Sequence, residues 1–218
     1  MQFRLPFQIF PGIFSSIDSY SKKVTNLCFD KHRHVPHWFD TFGDLSSKPI
    51  KVPHHSKFFH IDEETNIRLT GVCDDILKRN DGSYFIVDYK TAKYTNGQDV
   101  LLPVYEAQLN GYGFISERVG ISPVSGLGLI YYEPQTDLSV DTVDDVVLSD
   151  GFLMGFKARL VKVRCDPEAV VAPLLKRVRE ISELETVPMG REGCRDCERV
   201  GEMVRTVAGE MVLAGNCQ

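Results

Sequence analysis

The sequence lacks three features that would place it at once in a large class of proteins. It has no apolar run of the roughly 18 residues that a membrane helix needs. It has no excess of positive charge, because 25 Lys and Arg residues stand against 30 Asp and Glu residues. Its six cysteines are unevenly spaced along 218 residues, which argues against a disulfide scaffold. We therefore expect a cytoplasmic protein without a membrane segment, in which any contact with nucleic acid comes from a local basic patch or a metal.

The N-terminal segment is apolar but does not look like a signal peptide. It is interrupted by Pro6 and Pro11 and has no small-residue cleavage site. At 43% hydrophobic residues, a chain of this length can bury a core. We expect one domain over residues 1–190, with its core at about 13–134, followed by a cysteine-containing tail at 191–218.

The most informative stretch is 69–91, which contains two alternating runs of apolar and polar residues. The runs are joined through Asn-Asp-Gly at 80–82, a strong signal for a β-hairpin. In the second strand, the two-residue period places Asp88 and Lys90 on the same face. This face therefore ends in a carboxylate and an ammonium.

Two registers of the hairpin are open. With a three-residue loop, Ile76 faces Ile86 and Asp74 faces Asp88. With a two-residue loop, the pairing slips by one residue and Asp75 faces Asp88. Either register places two carboxylates with their Cβ atoms roughly 5 Å apart, which is unfavourable unless one is protonated or a cation lies between them.

A helix is predicted after the hairpin, from about Pro103 to Arg118. Proline suits the first position of a helix, and Gly120 follows its end. Gln108 and Tyr112 are four residues apart and therefore share one face of this helix.

Three short motifs in this order resemble those of RecB-type nucleases in the PD-(D/E)XK superfamily. Gly71–Asp74 resembles the GxxD motif, Asp88–Lys90 the (D/E)xK motif and Gln108–Tyr112 the QxxxY motif. The resemblance covers 71–112 closely. It implies an α/β fold like the restriction-endonuclease core, with a mixed central β-sheet flanked by α-helices.

The resemblance implies a deoxyribonuclease that depends on Mg²⁺ or Mn²⁺. Asp74, Asp88 and the main-chain carbonyl of Tyr89 would bind the metal, since these ions prefer oxygen ligands. Lys90 would position or deprotonate the attacking water. Asp75 is the alternate ligand in the slipped register, and otherwise an acid on the neighbouring surface or behind the metal ligands.

Gln108 and Tyr112 would face the active site in such a nuclease. There an amide and a phenol can hydrogen-bond the substrate phosphate or order the metal-bound groups. The alternative is a polar pair on a solvated surface.

A helix before the hairpin supplies a further candidate ligand. Helical spacing of apolar residues predicts a helix from Ser15 or Ser16 to about Lys31, with a serine cap. RecB-type domains usually carry a His or an acid on such a helix, and the order of elements makes Asp18 the candidate. The alternative is a first-turn acid stabilised by the helix dipole. The predicted apolar stripe comprises Ile17, Tyr20, Val24, Leu27 and Cys28.

Three more elements are expected after the motifs. Leu127–Tyr132 is apolar throughout and predicts a central strand. Phe152–Arg164 predicts a second strand with a basic character. A helix is predicted to open at Asp166-Pro167-Glu168 and to end before Pro188.

The tail contains Cys194 and Cys197 in a C-x-x-C spacing. Many RecB-type nucleases close the domain with an iron–sulfur cluster, held by one upstream cysteine and three near the C-terminus. Here the resemblance implies Cys28 upstream, and Cys217 follows the pair only after a long gap. The pair fits half of a zinc or iron–sulfur site, and an unligated remnant is the alternative.

The predicted function is hydrolysis of single- or double-stranded DNA in repair, recombination or defence, with a helicase or another complex partner. Two other functions stay open. One is a catalytically silent nuclease-like module that binds nucleic acid within a larger complex. The other is an interaction protein built on a metal or cluster at the tail cysteines.

Overall fold

The computed structural model describes residues 12–45, 48–95, 101–186 and 190–215. The chain separates into two compact units, Met1–Lys176 and Arg177–Gln218. The boundary predicted at residue 190 stays a prediction. None of the described helices has the length and apolar character required to cross a membrane.

The first unit alternates helices and strands, and the second contains a long C-terminal helix. A short 3₁₀ helix, His37–Phe42, follows the first α-helix. The helices are α1 (Gly12–His32), α2 (Leu102–Arg118), α3 (Pro167–Ser182) and α4 (Arg195–Gly215). The strands are β1 (Phe59–Ile61), β2 (Arg68–Thr70), β3 (Asp75–Lys78), β4 (Tyr84–Lys90), β5 (Val124–Pro134), β6 (Val147–Leu148), β7 (Gly151–Phe152) and β8 (Phe156–Val163).

The central sheet has the strand order β3–β4–β5–β8. β4 and β5 run parallel, with α2 as the crossover between them, and the other two pairs are antiparallel. β5 is buried over most of its length, which confirms the central strand predicted at Leu127–Tyr132. This mixed sheet flanked by helices confirms the predicted restriction-endonuclease-like fold class.

The β3–β4 hairpin adopts the first of the two predicted registers. Ile76 pairs with Ile86, and the backbone N–H of Arg79 donates to the carbonyl of Ser83 across a three-residue loop. Gly82 closes this loop with φ of 87°, a conformation that glycine adopts without steric cost. The slipped register is therefore wrong.

Both faces of the sheet are buried by apolar side chains. One face packs with α2, through buried residues that include Ile76, Ile86, Leu109 and Leu129. The opposite face packs against the 3₁₀ helix, through buried residues that include Phe42, Leu77, Phe85 and Val87. Because β4 alternates, Asp88 continues the α2 face while Tyr89 belongs to the opposite face.

The start of α1 differs from the prediction. The helix already includes Gly12, and the hydroxyl of Ser16 donates back to the Gly12 carbonyl within the helix. Neither Ser15 nor Ser16 is therefore its N-cap.

The predicted apolar stripe of α1 is at most partly buried, and two of its residues face solvent. Tyr20 and Leu27 are 68% and 64% exposed, whereas Ser21 and Thr25 are buried. The hydroxyls of Ser21 and Thr25 donate to main-chain carbonyls one turn earlier, at 2.9 and 3.2 Å. Small side chains that satisfy their own donors in this way can be buried against a sheet at little cost.

The later elements follow the prediction in most respects. α2 and α3 match the predicted helices, but the strand predicted at Phe152–Arg164 begins only at Phe156. Residues Gly151–Phe152 pair instead with Val147–Leu148 in a separate two-stranded sheet.

Candidate active site

Asp88 and Lys90 form the centre of the candidate site, at the C-terminal end of β4. Asp88 is only 4% exposed, and its Oδ2 atom lies 2.5 Å from Nζ of Lys90. Asp74, directly before β3, accepts a hydrogen bond from the main-chain N–H of Tyr89 at 2.7 Å. The hairpin thus holds two acids and a lysine at the same end of adjacent strands.

Gln108 and Tyr112 complete the arrangement from α2. The amide of Gln108 accepts from Nζ of Lys90 at 3.3 Å and donates to the hydroxyl of Tyr112 at 2.7 Å. Nζ of Lys90 also lies 4.3 Å from the ring centroid of Tyr105. Gln108 and Tyr112 therefore face the cleft, in the orientation predicted for them.

One open cleft of about 570 Å³ is lined by Asp74, Asp88, Tyr89, Lys90, Gln108 and Tyr112. The cleft is also lined by Phe14, Ser15, Asp18, Val72 and Thr91. A cleft of this size, lined by carboxylates and an ammonium, fits a charged substrate better than an apolar one.

Comparison with known proteins decides the family. A model described as the PD-(D/E)XK nuclease superfamily matches residues 22–200. The chain belongs to the PD-(D/E)XK nuclease superfamily. The matched range includes the three motifs at 71–112.

The other two comparisons give weaker results than this family match. A search of curated proteins finds no match. One matching solved structure, "Crystal structure of SSO0001", is 14% identical with a TM-score of 0.30. The match covers 54% of this chain and 43% of that chain, so this chain spans less than half of that protein's length.

The residues present fit the divalent metal that PD-(D/E)XK nucleases typically use. Oδ2 of Asp88 is buried and accepts no hydrogen bond of good geometry, despite its close contact with the Lys90 ammonium. Within the described part of the chain, no group of three or more His, Cys, Asp or Glu side chains could hold a metal alone. Two carboxylates, a main-chain carbonyl and water are nevertheless a usual ligand set for Mg²⁺.

The electrostatics of the cleft favour cation binding. Burial, together with the negative charge of Asp74, raises the pKa of Asp88 to about 6, although the Lys90 ammonium opposes the shift. A cation between Asp74 and Asp88 would relieve the repulsion between these two carboxylates.

Lys22 is a residue of this site that sequence reasoning missed. Its Nζ atom lies 2.7 Å from Oδ1 of Asp74 and 2.9 Å from Oδ2 of Asp18, one helical turn earlier. Burial lowers the pKa of Lys22, but hydrogen bonds and charges from these two acids outweigh that effect and raise it. The four-residue spacing of Asp18 and Lys22 was the available signal. Asp18 thus lies in the cleft, while its role as a metal ligand stays a prediction.

Asp75 lies outside the metal-facing side of the hairpin. It pairs with Val87, so its side chain is on the opposite face from Asp88. There it is buried and accepts a hydrogen bond from the hydroxyl of Tyr89 at 2.5 Å. That hydroxyl is also 3.3 Å from Oγ1 of Thr25 on α1. The alternate-ligand prediction for Asp75 is wrong because it required the slipped register.

Replacing Asp75 with asparagine is expected to flatten the pH dependence of stability in metal-free protein. Burial raises the pKa of Asp75 from 3.8 to about 6. The stability that its protonated form contributes is present below pH 4 and is lost as the pH rises through 6. Relative to wild type, Asp75→Asn should gain about 2–3 kcal/mol of unfolding free energy between pH 4 and pH 7. Urea unfolding in EDTA measures this, and parallel pH profiles for the two proteins would refute it.

The tail cysteines lie at the start of α4, in the second unit. Hydrogen bonds from the main chain and thiol of Cys197 lower the pKa of Cys194. Cys217 lies outside the described residues. A zinc or iron–sulfur site at Cys194 and Cys197 stays a prediction, as does the part of Cys28 in it.

Proposed function

We propose that this protein is a metal-dependent nuclease that hydrolyses phosphodiester bonds of DNA. The observation that carries the proposal is the convergence of Asp74, Asp88 and Lys90 in one cleft, with Lys90 in contact with both Asp88 and Gln108. This is the set of groups that phosphodiester hydrolysis needs: oxygen ligands for a cation and a nitrogen base beside them.

Asp74, Asp88 and the main-chain carbonyl of Tyr89 would hold Mg²⁺ or Mn²⁺. When bound, such an ion neutralises charge on a phosphoryl oxygen and lowers the pKa of a coordinated water. The hydrogen bond from the Tyr89 N–H to Asp74 fixes that carboxylate against β4. The pairing of β3 with β4 therefore sets the separation of the two acids before any substrate arrives.

Lys90 would orient the attacking water and offset the charge of the phosphate. Its ammonium is held from two sides, by the carboxylate of Asp88 and by the amide oxygen of Gln108. Gln108 is in turn held by its hydrogen bond to Tyr112, so two residues of α2 set the position of the Lys90 ammonium. A lysine held in this way contributes by position, and it would accept a proton from the water only in its neutral amine form.

The sheet also carries positive charge on the face that bears Lys90, despite the acidic composition. Lys90 pairs with Tyr131 of β5, and Tyr131 pairs with Arg159 of β8, so these three side chains share one face. The guanidinium of Arg159 lies 4.6 Å from the ring centroid of Tyr94. An arginine and an aromatic ring beside the site are suited to contact a nucleic-acid backbone and a base.

The order of the motifs also supports a finer assignment to the RecB-type nucleases. A role in DNA repair, recombination or defence would follow, with a helicase or another complex partner and a cytoplasmic location. Such a partner would supply the strand separation or targeting that a single nuclease domain does not provide.

Gly71→Ala is expected to reduce cleavage roughly 10- to 100-fold, because it displaces Tyr112 from the site. A Cβ atom at Gly71 would lie only 2.5 Å from Cε1 of Tyr112, so the ring has to move. Gly111→Ala is the matched control, since a Cβ atom there meets no other atom within 4 Å. Initial cleavage rates of the two variants measure the effect, and equal rates for them would contradict the role of Gly71.

Cleavage of end-labelled substrates tests the proposal. Single-stranded DNA, double-stranded DNA and RNA are each incubated with the protein in Mn²⁺, in Mg²⁺ or in EDTA. Cutting of DNA with a metal and none in EDTA is expected, and product lengths distinguish end-directed from internal cutting. Binding of DNA without cutting under any condition would instead indicate the catalytically silent module.

A further inference from the structure

Lys22 occupies an unusual position for a lysine beside a metal site. Its Nζ atom bridges Asp18 and Asp74, and its side chain is 33% exposed. The contact joins α1 to the chain immediately before β3. One of the two acids that it bridges, Asp74, is a predicted metal ligand.

The bridge places a positive charge where a second divalent cation would otherwise bind. Two-metal nucleases hold their ions about 3.5–4 Å apart, close enough for one carboxylate to bind both ions. Asp74 is the acid placed to be shared, because Lys22 joins it to Asp18 and it lines the same cleft as Asp88. Its Oδ1 atom contacts the Lys22 ammonium, and its Oδ2 atom accepts the Tyr89 N–H.

Asp74 can bind one metal while it keeps both of these contacts. A carboxylate offers about four lone-pair sites, of which the two contacts use two. A second metal between Asp18 and Asp74 would have to displace the Lys22 ammonium. This ammonium is a compact charge that already forms ion pairs with both acids.

We propose that Lys22 is a fixed internal cation that joins Asp18 to Asp74 and limits the cleft to a single divalent metal. The proposal rests on the proposed function, since it concerns the metal of that site. In this proposal Asp18 forms an ion pair with Lys22 and is not a ligand of the metal. It makes this protein a one-metal enzyme in which Lys22 supplies the second positive charge.

The number of Mn²⁺ ions bound per chain tests this inference without any substrate. Isothermal titration calorimetry measures this number directly. Electron paramagnetic resonance gives the same number from the concentration of Mn²⁺ that stays free in the presence of the protein. Wild type is expected to bind one ion. Lys22→Met keeps the apolar stem but removes the charge, so Asp18 and Asp74 are left to bind a second ion, and two are expected.

Three further variants separate the charge of Lys22 from its packing. Lys22→Met combined with Asp18→Asn should return to one ion, because the second position then lacks an acid. Lys22→Arg should also bind one, since it keeps the positive charge. Lys23→Met is the matched control on the neighbouring exposed residue and should bind one.

Each result has a distinct meaning. Two ions in wild type would overturn the inference, even if Lys22→Met failed to fold. One ion in Lys22→Met, with circular dichroism and thermal unfolding showing a folded protein, would also overturn it. No Mn²⁺ binding in any of these proteins would instead contradict the metal-dependent nuclease itself.

Discussion

Asp88→Asn is expected to reduce metal-dependent DNA cleavage about 10³-fold, the range seen when one group that stabilises transition-state charge is lost. Asparagine preserves the shape of the side chain at the buried end of β4. It removes the negative charge that the predicted cation needs. Rates of single-turnover cleavage in Mn²⁺ measure the effect.

The variant should remain folded because burial makes the Asp88 carboxylate costly in metal-free protein. Its pKa is raised to about 6 by burial and by Asp74, so at pH 8 the fold holds an unfavourable charge. An amide avoids that charge, and unfolding by urea in EDTA should show no loss of stability. Asp137→Asn, in an exposed loop, is the control and should cleave like wild type. An Asp88→Asn rate within tenfold of wild type would refute a ligand role for Asp88.

Lys90→Met is expected to reduce cleavage about 10²- to 10³-fold while Mn²⁺ binding is retained or strengthened. The effects on cleavage and on Mn²⁺ binding differ because Lys90 has two separate roles in the site. Its ammonium serves the attacking water, but it also lies 2.5 Å from Oδ2 of Asp88 and competes there with a metal. Methionine keeps the apolar stem and removes both.

The comparison of cleavage rate with Mn²⁺ affinity is the informative readout for Lys90. Lys93→Met, on an exposed residue of the following segment, is the matched control. A parallel loss of cleavage and of Mn²⁺ binding would mean that Lys90 acts by maintaining the site's structure. An unchanged cleavage rate would exclude it from the reaction.

The central part of the site was predictable because it depends on short-range rules. The Asn-Asp-Gly sequence predicts the hairpin, and alternation along β4 places Asp88 and Lys90 on one face in either register. Helical spacing likewise places Gln108 and Tyr112 on one face of α2. Each of these inferences needs only a few neighbouring residues.

The orientation of α1 was not predictable in the same way. Its sequence favours Tyr20 and Leu27 as inward residues, yet these are exposed and Ser21 and Thr25 are buried. That choice depends on the partner surface, where Thr25 meets the hydroxyl of Tyr89. The rotation brings Lys22 toward the hairpin, which explains why sequence reasoning missed its contact with Asp74.

Asp75 shows that a shift of one residue in strand register changes the role of a side chain. In the slipped register it would face Asp88 as a ligand. In the observed register it lies on the opposite face and binds the Tyr89 hydroxyl. Adjacent aspartates therefore have different environments, and the sequence alone left both registers open.

The most direct test of the account is the position of Mn²⁺ in crystals of the wild-type protein, from its anomalous scattering. A single peak per chain is expected, within about 2.5 Å of carboxylate oxygens of Asp74 and Asp88 and of the main-chain oxygen of Tyr89. A peak only at another site, or none at saturating Mn²⁺, would contradict the assignment of this cleft as the metal centre of a nuclease.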